Sequence, residues 1–373
     1  MNGFDKLLDM ANRRSCDKGV SDSLERGKNY LKTRYPIHCA DPYSEVHSHS
    51  TSFALSDKSN PRLYDNLSDI ENKVCADCLD LFKSIQLVID AVKDGDDEDM
   101  LHDTTIAVTS ILNYIKHLIR DAQQKKAKSY CFLNMDQETC FWLKDFSQKI
   151  IPVKYKEGQK DYFGKKGMSM HVDVFFVKRD NDISKQVFIT VIYWCDQGIA
   201  SSLCISEHVL KEFKKSNPVI TKIFTKSDNA SSYHGNFIFE ALHKVCKGEN
   251  FQLLRTDYNE PSKGKDQCDR ESAAARNIIN SFVNAGNDLT TAEDVYTALH
   301  YGNGLSNAKV SVLQINGSKT LLSGKIIKNV SSYHSIQYFA EHMKLWRYFD
   351  IGNGVNQLYS GTTFVSDYQI ILP

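Results

Sequence analysis

Little in this sequence commits the chain to a membrane, a secretory route or a polyanion. No apolar run approaches the ~18 residues that a membrane span needs. The first residues, Met1-Asn2-Gly3-Phe4-Asp5, lack the basic and apolar regions of a signal peptide, so the expected location is inside the cell. The 46 basic and 46 acidic residues cancel. That removes the basic excess through which bulk nucleic-acid affinity usually shows itself. The ten cysteines are scattered, and Cys131, Cys140, Cys195, Cys204 and Cys246 lie in apolar runs where buried thiols are the default. Without a secretory context they imply no disulfide framework. Internal repeats and long low-complexity tracts are missing as well. What is present is a chain of 373 residues, 41% hydrophobic and 25% charged, ordinary for a globular protein and long enough for two or three units.

Residues 1–70 are polar and weakly periodic, and partial order is expected there. His38, Cys39, His47 and His49 fall in this region, and Cys75-Ala76-Asp77-Cys78 follows. A Cys-x2-Cys pair with upstream histidines can hold Zn²⁺. The long interval from His49 to Cys75 does not match a compact finger, so loop histidines and two cysteines entering a helix are expected instead. Residues 71–128 predict a helical hairpin. Leu81, Phe82, Ile85, Val88 and Val92 repeat at helical spacing, and so do Ile111, Leu112, Ile115, Leu118 and Ile119 beyond an acidic break at 94–99.

From 129 to 290 the pattern changes to strands and helices in the order β-β-β-α-β-α-β-α. The first three strands have short links and should pair antiparallel, whereas later strands return through helices and should run parallel. This predicts an α/β fold with a mixed five-stranded sheet and helices on both faces. Residues 291–373 read as a small α/β extension. Its aromatics, Tyr338, Phe339, Trp346, Tyr348 and Phe349, can stack bases but more often form core.

Three acids fall at matched places. Asp145 ends the first core strand. Asp228, in Ser227-Asp228-Asn229-Ala230, ends the fourth. Asp269 opens the helix after the fifth. The carboxyl ends of strands are where open α/β sheets bind ligands and metals. Singly, each acid can be only a turn or cap residue, and Asp266 with Asp269 has the spacing of a capping box. Glu271 competes with Asp269 for the third position, and Asp173, placed mid-strand, competes with Asp145. Together the three carboxylates would repel one another unless cations lie between them. Mg²⁺ or Mn²⁺ is the natural occupant, because hard cations prefer oxygen ligands. Two such ions can serve phosphodiester displacement. Lys165, Lys166, Lys263 and Lys265 lie in loops from which they can contact phosphate. Tyr233 and His234 can line the site or pack at a helix start.

The order of elements and acids resembles the ribonuclease H-like fold of DDE/DDD transposases and integrases. Several stretches also resemble a group of transposon-derived animal proteins: Trp142-Leu143-Lys144-Asp145-Phe146, Ser227-Asp228-Asn229-Ala230, Gly264-Lys265-Asp266-Gln267-Cys268-Asp269, the loop from Asp161 to Ser169, and Asn284-Ala285-Gly286-Asn287-Asp288. The resemblance covers roughly residues 130–350. It implies a two-metal polynucleotidyl transferase or nuclease acting on DNA, with Asp145, Asp228 and Asp269 catalytic, working in the nucleus and able to form homo-oligomers. The group carries a richer Cys/His cluster in its N-terminal third than this chain does, which implies a decayed DNA-recognition part. The competing expectation is a domesticated, inactive transposase fold that serves as a nuclear binding or scaffold protein. An exonuclease on the same fold is the third.

Overall fold

The computed structural model describes residues 2–41, 44–64, 73–95, 97–158, 163–180, 182–193, 196–261, 266–305, 307–317 and 319–373. The chain divides into two compact units, residues 1–127 with 346–354, and residues 128–345 with 355–373. Among the described residues no helix is long and apolar enough to cross a membrane.

The first unit is helical. Its elements are α1 (Asn2–Arg13), α2 (Lys18–Thr33), α3 (Tyr35–Ala40), a 3-10 turn (His47–His49), α4 (Thr51–Leu55) and α5 (Ala76–Lys93), followed by α6 (Glu98–Leu133), which leaves the unit at its C-terminal end. Partial order was the expectation for residues 1–70, and the helices correct it. The apolar positions are few but correctly spaced. Phe4, Leu7 and Ala11 on α1 and Val20, Leu24 and Leu31 on α2 are buried against Leu81, Ile85 and Val88 of α5. Gly27 permits this approach, since a Cβ there would stand 2.6 Å from Leu81 Cδ1. Residues 346–354 join the unit through side-chain amides: Gln123 Nε2 donates to Phe349 O at 2.5 Å, and Phe349 N donates to Gln124 Oε1 at 2.8 Å.

The second unit is a mixed α/β structure built on one large sheet. β1 (Thr139–Phe146) is buried along most of its length, as a central strand should be. It pairs antiparallel with β2 (Ser169–Arg179), which pairs antiparallel with β3 (Asp182–Ile192). On its other side β1 pairs parallel with β4 (Lys222–Ser227), and β4 pairs parallel with β5 (Gln252–Tyr258). The crossovers are α7 (Ile199–Ser216) and α8 (Ile238–Gly248), and α9 (Gln267–Asn284) follows β5.

Among the described residues the sheet has ten strands, not five. After α10 (Ala292–Leu299), the strand β6 (Ala308–Ile315) pairs parallel with β3. Beyond β7 (Leu321–Ser323), β8 (Ser335–Tyr338) pairs antiparallel with β5. β9 (His342–Trp346) and β10 (Val355–Leu358) continue outward from β8, β11 (Thr363–Val365) pairs with β7 in a separate ribbon, and β12 (Tyr368–Leu372) closes the far side against β6. The residues read as an extension therefore cover both edges of the five-strand core, whose unpaired N–H and C=O groups would otherwise be open. Most of its aromatics are structural: Tyr338, Trp346 and Phe349 are buried, while Phe339 is 39% exposed.

Two apolar layers cover the sheet. One face packs Trp142, Phe175, Ile205, Phe213 and Phe239, drawing on α7 and α8. The other packs Phe141, Leu143, Met170, Val172, Phe224, Ala275 and Ile279, drawing on α9.

Candidate metal and phosphodiester site

The period of two along a strand decides which side chains meet. On β1, Phe141 and Leu143 lie on the face covered by α9, and Asp145 follows them. On β4, Phe224 lies on that same face, with Lys226 and then Asp228 in step behind it. The parallel register pairs Thr139 with Lys222 and Lys144 with Ser227. One residue further along, Asp145 stands beside Asp228 at the carboxyl ends of adjacent parallel strands. Asp269 arrives from the first turn of α9.

Asp145, Asp228 and Asp269 stand near enough to act on one another electrostatically, although their carboxylate oxygens do not all lie within 4.8 Å of one another. Burial, then the carboxylates of Asp228 and Asp269, pushes Asp145 up to about 7. Asp228 is also raised, chiefly by burial and further by Asp269, although it accepts a hydrogen bond from Ala230 N at 3.1 Å. These effects are the ones expected for anions gathered without a cation among them. The donor set is oxygen-rich and suits a hard divalent ion. Leu143, Asp145, Lys226, Ser227, Asp228, Asp266 and Cys268 line a recess there, with about 10 Å³ of free room. That is space for about one water molecule, so a nucleobase cannot enter.

The other acids lie elsewhere. Glu271 forms a 2.5 Å ion pair with Lys185 and accepts from Gln267 Nε2 at 2.6 Å. Asp173 is fully buried on the opposite face of the sheet, in register with Lys144. It accepts from Trp142 Nε1 at 2.8 Å and binds His171 Nδ1 at 2.7 Å. Asp266 caps α9 through Gln267 N and pairs with Lys128 at 2.6 Å, while Asp269 bonds back to Asp266 N at 3.0 Å. The capping box and the acidic cluster thus coexist in one turn of helix.

Lys165 is tied to Pro152 O at 2.9 Å and ion-paired with Glu157. Lys166 is exposed. Lys263, Gly264 and Lys265, with Asp161 and Tyr162, lie outside the described residues. Tyr233 is buried, and His234 Nε2 donates to Tyr333 O at 2.6 Å, its pKa pushed down to about 4 by burial. Both therefore pack rather than face a ligand. Cys75 and Cys78 stand at the start of α5 and converge with His38 and His49 on the Tyr30 hydroxyl.

Lys226 carries no motif that singles it out in the sequence. It is buried in the recess, with its amine lowered by burial and supported by Asp257 and Asp266. Its position two residues before Asp228 puts it on the same strand face, which was the available signal.

Residues 124–347, more than half of the chain, match the model of the family described as Domain of unknown function (DUF8701). No curated protein matches. Two solved structures of the human cytomegalovirus terminase nuclease domain are similar in part. The Mn-soaked, inhibitor-bound one has 8% identity and a TM-score of 0.23, and the alignment covers 50% of this chain and 77% of that one. The Mn-soaked one has 11% identity and a TM-score of 0.21, covering 45% and 70%. Likeness at this level does not define a shared fold.

Proposed function

The chain belongs to the family described as Domain of unknown function (DUF8701), and we propose that its second unit is a divalent-cation-dependent nuclease or strand transferase acting on DNA phosphodiesters. The observation that carries this reading is that Asp145 and Asp228, from β1 and the end of β4, line one recess, with Asp269 of α9 near enough for its charge to help raise both. The central strand order β3-β2-β1-β4-β5 is the one a ribonuclease H-like core requires, and a transposase ancestry is consistent with it.

In this reading the three carboxylates would hold Mg²⁺ or Mn²⁺; the recess as it stands has room for about one ion, so a two-ion arrangement would need the site to open. When bound, the cations supply Lewis-acid stabilisation of charge developing on the phosphodiester oxygens. Asp145 and Asp228 fix one side of the recess from rigid strand ends, and Asp269 closes it from the helix. The Lys128–Asp266 pair and Asp266's cap hold the first turn of α9 in place. The small recess keeps the bases outside, so the backbone of the nucleic acid lies across its mouth. Glu271, occupied by Lys185, takes no part.

The test is cleavage and strand transfer on linear DNA in Mg²⁺ and Mn²⁺. Asp145→Asn and Asp269→Asn should each lower the rate by ~100-fold or more, and Glu271→Gln should leave it nearly unchanged. Full activity in Asp145→Asn would refute the reading. The second reading, an inactive nuclear binding or scaffold protein, is favoured by the zero net charge and predicts no cleavage with either metal.

A further inference from the structure

Away from the carboxylates, the first unit gathers two histidines and two cysteines around one point. The Tyr30 hydroxyl lies 3.1 Å from His38 Nδ1, 2.9 Å from His49 Nε2, 3.4 Å from Cys75 Sγ and 3.7 Å from Cys78 Sγ. His49 Nε2 and Cys78 Sγ are themselves 3.4 Å apart. The ligating atoms of His38, His49 and Cys75 all lie within 4.8 Å of one another. From metal bonds of ~2.0–2.1 Å to nitrogen and ~2.3 Å to sulfur, a tetrahedral site places neighbouring ligands roughly 3.5 Å apart. The His49–Cys78 spacing is of that size, and His38 and Cys75 need to close in from within 4.8 Å to complete the set.

The hydroxyl does not account for the convergence. It can donate one hydrogen bond and accept two, yet four groups point at it, two of them thiols that bond weakly. Both cysteines are free of disulfides. Tyr30, His49 and Cys78 are buried, and His38 and Cys75 are half-buried. Leaving two thiols and two imidazoles pointed at one another in such a place has no stabilising purpose by itself.

The backbone is also suited to thiolate ligands. Cys75 is the N-cap residue of α5, and its side chain makes no capping hydrogen bond. Cys78 stands in the first turn, where the helix dipole and free N–H groups favour negative charge. Two thiolates and two neutral imidazoles balance a divalent ion, so the occupied site carries no net charge into the interior.

We propose that His38, His49, Cys75 and Cys78 form a closed, four-ligand Zn²⁺ site that is structural. Soft sulfur and imidazole donors select zinc over Mg²⁺ or Mn²⁺, which separates this site from the carboxylate recess. A closed set of four protein ligands leaves no position for substrate. The ion ties α3, the 3-10 turn at 47–49 and the start of α5, which come from separate parts of the sequence. α3 buries only Tyr35 and Cys39, and the 3-10 turn buries only His49. A cross-link there replaces the apolar contacts that these short elements lack. The Tyr30 hydroxyl occupies the centre of the set, so zinc binding requires it to move aside, where it can donate to one thiolate.

The experiment uses the full chain, purified under reducing conditions from medium containing zinc. Close to one zinc per chain is expected, released when the thiols are modified. Co²⁺ substitution should give tetrahedral ligand-field bands and a sulfur-to-metal charge-transfer band. Cys75→Ser with Cys78→Ser, and His49→Ala, should lose the metal, whereas Asp145→Asn and Asp228→Asn should retain it. Because the cysteine variants can fail to fold, the native chain is also treated with a chelator. Its melting temperature should fall, and Zn²⁺ but not Mg²⁺ should restore it. A native chain that holds no zinc and gives no Co²⁺ spectrum would overturn the proposal, as would a double cysteine variant that keeps its zinc. Formation of a Cys75–Cys78 disulfide in air without any metal effect would replace it with a redox pair.

Discussion

Near neutral pH, Asp145 stands close to its own midpoint, because burial and the carboxylates of Asp228 and Asp269 push it up to about 7 from 3.8. Between those values the folded chain keeps a proton that the unfolded chain has released. The stability this group contributes is full below about 4 and is lost as pH rises through about 7. A divalent cation binds the ionised form, so its stabilising effect should grow over the same range. The rise in melting temperature caused by Mn²⁺ should be several-fold larger at about pH 8 than at about pH 5.5, and equal shifts would contradict the coupling. Asp145→Asn should stabilise the metal-free chain by about 1–3 kcal/mol at pH 8, measured by urea unfolding, and should abolish the Mn²⁺ response. Asp173→Asn should do the opposite. It disturbs the buried bonds to Trp142 and His171 and should cost about 3 kcal/mol, with Mn²⁺ binding unchanged. Sequence position made Asp145 and Asp228 legible, because both close strands. It ranked Asp173 lower for lying mid-strand, but that its carboxylate lies on the far face depends on a register that pairs it with Lys144.

Glu240 illustrates what the sequence hides at the level of elements. It looks like an ordinary acid in the first turn of α8. In the structure its carboxylate is buried and accepts from the backbone N–H groups of Ser360, Gly361 and Thr362 at 2.8, 2.9 and 2.9 Å, and from the Ser360 and Thr362 hydroxyls. These bonds hold its pKa below the usual value against the opposing effect of burial. Its contribution is therefore present above about 4.5 and is lost as pH falls through the depressed folded value. Glu240→Ala leaves those donors unsatisfied and should cost about 3 kcal/mol. Amide hydrogen exchange should show the loss first at residues 360–362; unchanged protection there would count against the clasp. No local pattern could have revealed this, since the partners are 120 or more residues away. The first two helices were hidden for a different reason. Val20, Leu24 and Leu31 are spaced for one helical face, but lysine, serine and aspartate surround them, and the polar composition outweighed a short, correct periodicity.

On the scale of the whole chain, the five central strands and their crossovers could be read because each strand is a clear apolar run and its link length fixes its direction. Of the five outer strands, β6 is a comparable apolar run and Lys309 to Ile315 reads as a strand; the other four could not be read. β8, β10 and β12 are four or five residues long and half-polar, and only the open edges of the finished core define where they pair. The candidate metal site follows the readable part, since its acids lie on β1, at the end of β4 and on α9. The Cys/His cluster follows the unreadable part, because His38, His49 and Cys75 meet only after helices that the composition concealed have packed. The central claim is that the strand-end carboxylates form one divalent-cation site. Mn²⁺ binding by calorimetry on the native chain and on Asp228→Asn tests it most directly. The account predicts binding near the millimolar range or tighter in the native chain and its loss in the variant, with both proteins folded. Equal binding by the two, or none by either, would contradict it.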